Sequence, residues 1–71
     1  MRNIDTKAFK KAMIDKDINT IGELEEKSGV HRSTIAEILN GARTPSYDSI
    51  VRLADALELA SEDVGRIFYA S

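Results

Sequence analysis

Apolar residues recur along this chain at helical spacing. Ile35, Ile38 and Leu39 stand at i, i+3 and i+4, and Ile50, Leu53, Ala54 and Leu57 at i, i+3, i+4 and i+7, the pattern that lines one face of an α-helix. No stretch alternates apolar and polar residues long enough to make a half-buried strand. Five helices are predicted. Asp5 can cap a first one running to about Lys16, with Phe9, Ala12 and Met13 turned inward. Thr20-Ile21-Gly22-Glu23 has the form of a capping box, in which the Thr oxygen accepts from the backbone N–H three residues on and the Glu carboxylate reaches back. The second helix then buries Ile21 and Leu24 and stops at Gly29, a residue suited to the left-handed conformation past a helix end. Val30 packs into the turn, and a third helix runs from about Arg32 to Asn40, ending at Gly41. After a loop around Pro45, Ser46 caps a fourth helix that Leu59 closes. Ser61 caps a short fifth helix bearing Val64, Ile67 and Phe68. The result is an all-α globule with a core of about fifteen apolar side chains.

At 71 residues the chain is one small domain, too short for two cores. With no Cys and a single His, neither a disulfide framework nor zinc chemistry of the usual kind is expected, and no metal or cofactor is implied. The apolar runs are too short to span a membrane or direct export, which reads as a cytoplasmic chain. Net charge is −2, with 10 Lys and Arg against 12 Asp and Glu, and that sum argues mildly against a nucleic-acid partner. The distribution changes the picture. Residues 1–16 carry five cations and two acids, residues 17–28 one cation and four acids, residues 29–46 two cations and one acid, and residues 47–71 two cations and five acids. Salt screens charges beyond about 8 Å, so an acidic far side leaves a basic side free to meet a polyanion.

Two helices joined by a four-residue turn, the first ending in Gly-Val, have the form of a helix-turn-helix over about residues 20–40. Leu24, Val30, Ile35 and Ile38 would hold the pair together. At 100° per residue, Arg32, Ser33, Ala36, Glu37 and Asn40 then share an arc of roughly 140°, opposite Ile35, Ile38 and Leu39. This polar strip can enter a DNA major groove, which is wide enough for one helix.

The segments Thr20-Ile-Gly-Glu-Leu24, Lys27-Ser-Gly-Val30, Arg32-Ser-Thr-Ile35, Asn40-Gly-Ala-Arg-Thr-Pro-Ser46 and Leu53-Ala-Asp-Ala-Leu57 resemble the lambda-repressor/Cro-like, or XRE-type, helix-turn-helix domains. The resemblance covers about residues 5–69. It implies a compact five-helix DNA-binding domain with the helix-turn-helix in helices 2 and 3, and operator binding as a dimer. By motif position it implies that Arg32, Ser33, Ala36 and Glu37 read bases, from a recognition helix over about 32–40, and that Thr20, Asn40 and Arg43 hold phosphates. Three positions depart from the family pattern. Ile21 replaces a Gln that grips the backbone, Glu25 replaces a small Ala at the helix crossing, and Leu39 replaces a Glu, which suggests extra core burial. A buried unpaired carboxylate is costly, so Glu25 is expected to reach outward or to pair with a neighbour such as Arg32.

Each residue has a plainer reading beside the functional one. Arg32 can offer two N–H groups to a guanine edge, or pair with Glu25. Glu37 can accept from a cytosine amino group, or stand as a surface charge or an orienter of Arg32. Asn40 either meets a phosphate or caps its helix, and Thr20 either caps or helps hold a phosphate at a helix N-terminus. His31 opens the third helix on the solvent side, or touches a phosphate. Lys7, Lys10 and Lys11 form a solvated face that can approach the DNA backbone. Ile67, Phe68 and Tyr69 either close the monomer core or form a dimer patch on the C-terminal helix. The sequence thus points to a single-domain, sequence-specific transcriptional regulator of phage or mobile-element repressor type acting on double-stranded DNA. The alternative is an antitoxin or adaptor that uses the same fold to bind a protein. Catalysis is not expected, because the length leaves little room for a pocket of about 300 Å³ besides a core.

Overall fold

Five helices, α1 (Thr6–Asp15), α2 (Ile21–Ser28), α3 (Arg32–Leu39), α4 (Tyr47–Ala56) and α5 (Ser61–Phe68), make up the fold in a computed structural model that describes residues 4–69. Most begin where a polar side chain answers the free amides of the first turn. Asp5 accepts from the Ala8 amide at 3.0 Å, and Ser46 from that of Ser49 at 3.1 Å. The capping box forms at both ends: Thr20 Oγ1 accepts from the Glu23 amide at 3.1 Å, and Glu23 Oε1 accepts from the Thr20 amide at 3.0 Å. The fifth start differs from expectation. Ala60, not Ser61, is the cap residue, without a side-chain bond, and Ser61 is already helical.

The helix ends are equally explicit. Gly29 is left-handed (φ +78°), and its N–H donates to the Glu25 carbonyl at 2.8 Å. Past α3, Gly41 (φ +76°) donates to Ile38 O and Ala42 to Glu37 O, the two bonds of a Schellman motif. The same pair of bonds ends α1 and α4, but the left-handed residues there are Asp17 (φ 58°) and Glu58 (φ 53°). Between α2 and α3 lie three residues, Gly29, Val30 and His31, rather than four.

α2 packs against both α3 and α4, while α5 packs on α1 and α4. Leu24, Ile35, Ile38 and Leu53 are fully buried where α2, α3 and α4 meet, so the helix-turn-helix shares its core with α4. Val30 is buried in the turn as expected. At the other end Phe9 and Phe68 meet edge to face, ring centroids 5.6 Å apart. Ile18, which carries no motif, is 1% exposed behind Asp17.

Two expectations about burial are corrected. Ile67 and Phe68 are 2% and 1% exposed, so they belong to the core and offer no dimer surface; of that trio only Tyr69 is exposed. Leu39 packs on the core only partly, as does Ile21. On a helical wheel Leu39 falls about 20° from Arg32, at the edge of the polar arc rather than opposite it.

Candidate nucleic-acid interface

The third helix is anchored by one side and open on the other. Ile35 and Ile38 are fully buried, while Arg32, Ser33 and Asn40 are exposed and Ala36 and Glu37 half-buried. The eight residues of α3 span about 12 Å, a length suited to lying in a major groove.

The start of α3 is organised by two neighbours. Glu25, projecting from α2, uses both carboxylate oxygens: Oε2 accepts from the Arg32 amide at 3.2 Å and Oε1 from Arg32 Nε at 3.0 Å. Sequence reasoning foresaw the pairing, though not the second bond to the backbone. These two bonds, side-chain first, and the Arg32 charge hold the Glu25 carboxyl below the usual glutamate value of 4.5, against an opposing effect of desolvation. The other neighbour is His31, whose Nδ1 accepts from the Ser33 amide at 3.1 Å and lies 2.8 Å from Ser33 Oγ. An Nδ1 that accepts carries no proton, so the ring N–H is Nε2. With the Ser33 hydroxyl donating to Nδ1, Ser33 is left as an acceptor toward solvent.

Glu37 does not orient Arg32. It accepts from Arg43 Nε at 2.8 Å, drawing that arginine back across the Gly41 turn. Both side chains remain about half exposed, at 47% and 52%. Asn40 is the C-cap of α3, its own N–H bonded to the Ala36 carbonyl. At the start of α2, Glu23 Oε1 also accepts from the Asn19 amide at 2.9 Å. The amides of Ile21 and Gly22 then remain in the first turn for an outside acceptor.

With the exception of Lys16, the described arginines and lysines divide by ion pairing. Arg32, Arg43, Arg52 and Arg66 each pair with an acid, as Lys16 does with Glu58 at 3.3 Å. Among the described residues Lys7, Lys10, Lys11 and Lys27 make no ion pair. Lys10 lines a groove of about 410 Å³ with Met13, Ile14, Ile18, Ile21 and Leu39, which puts it beside the start of α2 and the end of α3. Lys11 lines a different cleft, against the segment that follows α4 and against α5. Two of the three departures from the family pattern, Ile21 and Leu39, thus meet in one groove, next to an Ile14 that is 65% exposed.

Tyr47, 78% exposed at the first position of α4, was missed by sequence reasoning. No motif marks it, and only its exposure beside the 41–46 loop draws attention. Clefts of about 350–410 Å³ exist on the surface, so the expectation that the chain lacks room for them is overturned. Among the described residues no group of His, Asp and Glu could hold a metal ion, and no helix is long and apolar enough to cross a membrane.

A family model described as helix-turn-helix, of the XRE/lambda-repressor-like type, matches residues 10–64. No curated protein and no solved structure matches the chain. The match runs from within α1 into α5 and includes the whole α2–α3 unit. This chain belongs to the XRE/lambda-repressor-like helix-turn-helix family of DNA-binding transcription regulators.

Proposed function

We propose that the chain is a single-domain, sequence-specific regulator of phage or mobile-element repressor type, acting in the cytoplasm on double-stranded DNA. Its α3 lies in the major groove, where Arg32, Ser33, Ala36 and Glu37 meet base edges. Thr20, His31, Asn40 and Arg43 meet phosphates. The observation that carries the reading is the division of α3 itself: Ile35 and Ile38 fix one side, and a strip of donors, acceptors and one methyl group is left on the surface. Arg32 offers donors, Ser33 an acceptor, and Ala36 a methyl that suits thymine. Glu37 offers a carboxylate whose charge Arg43 offsets. His31 Nε2–H is positioned to donate to a phosphate, and Lys10 supplies a further cation on the same side.

Pairing of two copies on half-sites about one helical turn apart belongs to this proposal, since one small module with few cationic contacts binds weakly. The exposed apolar residues Tyr47, Val51 and Tyr69, around a groove between α4 and α5, support it. Selection of bound sequences from a random duplex pool tests both parts: a palindromic consensus is expected, and a pool that stays random refutes sequence-specific binding.

One observation favours the adaptor reading. The apolar groove of Ile14, Ile21 and Leu39 includes the position, Ile21, at which the family pattern has a Gln that grips the DNA backbone. A gel shift with random duplex at low salt separates the readings, because a DNA reader binds non-specifically at about 10⁻⁴ to 10⁻⁶ M. No shift in that range would favour a protein partner.

A further inference from the structure

We infer that Glu25 is a positioning residue for base selection: by gripping Arg32 at both its amide and its Nε, it commits that arginine to a guanine edge instead of the phosphate backbone. The inference rests on the DNA-binding reading of α3 and deepens it, since it names the base and the residue that enforces the choice.

An arginine at an exposed helix start has many rotamers, and a nearby phosphate is its easiest partner. Here the freedom is removed. Glu25 stands on α2, its side chain 25% exposed, and holds Arg32 Nε at 3.0 Å. The same carboxylate holds the backbone amide of residue 32 at 3.2 Å. The backbone at residue 32 and the inner nitrogen of its guanidinium are therefore both tied to one carboxylate on a packed helix. With Nε occupied, the outward edge is the Nη1–Nη2 pair, two parallel donors whose spacing matches guanine O6 and N7. Arg32 stays 67% exposed, so that edge is open.

The carboxylate acts in a second way. A phosphate approaching Arg32, whether at Nε or at the Nη end, meets the negative charge of Glu25 beside the guanidinium, whereas a guanine edge presents neutral acceptors to the free end. The Glu25–Arg32 pair thus penalises backbone contact more than base contact, and the penalty is what makes the contact selective. Arg43 is held in the same manner by Glu37, but from a loop and across a turn, so its position is less constrained.

The experiment begins from the site that the wild-type chain selects out of a random pool. If the DNA-binding reading itself fails, no site is enriched, and that failure is distinct from a loss of selectivity in the variants. The readout is the affinity ratio between the selected site and the same site with each G·C pair changed in turn to A·T. For wild type, one guanine per half-site is expected to show a ratio between about 5 and 150. Arg32→Ala should bring that ratio near 1. Glu25→Ala should also bring it near 1, while affinity for random duplex stays level or rises, because Arg32 is released to phosphates and a negative charge is gone. In the double variant no further loss of selectivity is expected. Glu25→Gln, which keeps the shape and one acceptor oxygen, should give an intermediate ratio, and it serves as the test if Glu25→Ala does not fold. A role confined to capping α3 would lower affinity for all duplexes by one factor and leave the ratio intact. That outcome, or a wild-type ratio retained in both Glu25 variants, overturns the inference.

Discussion

Replacing Gly29 by Ala tests the turn on which the placement of α3 depends. Gly29 sits at φ +78°, and a Cβ built there comes 3.2 Å from Arg52 Nη1. The left-handed backbone costs an Ala about 1–2 kcal/mol. The contact adds less, since Arg52 ends in a flexible guanidinium that can yield by a few tenths of an ångström, although its Nε is tied to Asp48 at 2.8 Å. Two other glycines bracket the effect. Gly41 has nearly the same backbone (φ +76°) with nothing within 4 Å of its added Cβ, so Gly41→Ala isolates the backbone cost. Gly65 lies inside α5 with nothing within 4 Å, and Gly65→Ala should stabilise by about 0.8–1.0 kcal/mol from helix propensity. For a domain of this size each kcal/mol moves the Tm by roughly 4–8 °C. Thermal unfolding followed by circular dichroism should therefore give a fall for Gly41→Ala, an equal or larger fall for Gly29→Ala, and a rise for Gly65→Ala. Gly29→Asn should recover part of the backbone cost, because Asn tolerates the left-handed region, but none of the displacement of Arg52. A Gly29→Ala variant as stable as wild type, or a Gly65→Ala variant that loses stability, would refute the reasoning.

Phe68→Ala should cost about 3–5 kcal/mol, because the ring is 1% exposed and packs edge to face on Phe9. Most of the stability of so small a domain would go, and a variant that stays folded at wild-type Tm would show that Phe68 is not core. The lowered carboxyl of Glu25 makes stability pH-dependent with a definite sign. Its contribution is complete above the unfolded value of about 4.5 and is lost as pH falls through the lower folded value. The Tm gap between wild type and Glu25→Gln should accordingly close in acid; a gap that widens there contradicts the bond to Arg32. Arg43→Ala should weaken binding to all duplexes together and reduce the slope of log affinity against log salt by up to about 0.9, the value for a cation that no acid offsets, whereas an unchanged slope would remove Arg43 from the phosphate contacts.

Legibility in the sequence followed the range of the interaction. The capping box at Thr20 and Glu23, the stops at Gly29 and Gly41, and the apolar faces of α3 (Leu39 apart) and α4 are set within a few residues, and the structure agrees with them. Asp17 and Glu58 end their helices in the same left-handed conformation without the glycine that would have announced it, so the burial of Ile18 went unread. Ser61 is a good cap residue that is not used. Leu59 is fixed by its bond back to Ala54, which leaves Ala60 as the only residue between that point and the start of α5. Phe68 finds its partner in Phe9, at the far end of the chain, and no local pattern tells such a core residue from a surface patch. In the interface, the Glu25–Arg32 pair was anticipated because a carboxylate at a helix crossing needs a partner. The Glu37–Arg43 pair was not, because it depends on how the Gly41 turn folds the loop back over α3.

The ion pairs also account for how a chain with net charge −2 can serve a family that binds a polyanion. Each arginine among the described residues that stands on α3, α4, α5 or the loop after α3 is already matched to an acid. To neutralise a phosphate it must leave or share that acid, so its net gain is smaller than that of a free cation. Unpaired cations are lysines, and of those on α1 Lys10 is the one that lines the groove beside α2 and α3. In the proposed DNA-binding role this would keep non-specific attraction low and leave contacts to base edges, which require no net charge, unaffected. On the proposed function, preference for an operator would then come less from strong binding there than from weak binding elsewhere, and in a genome the ratio between the two decides occupancy.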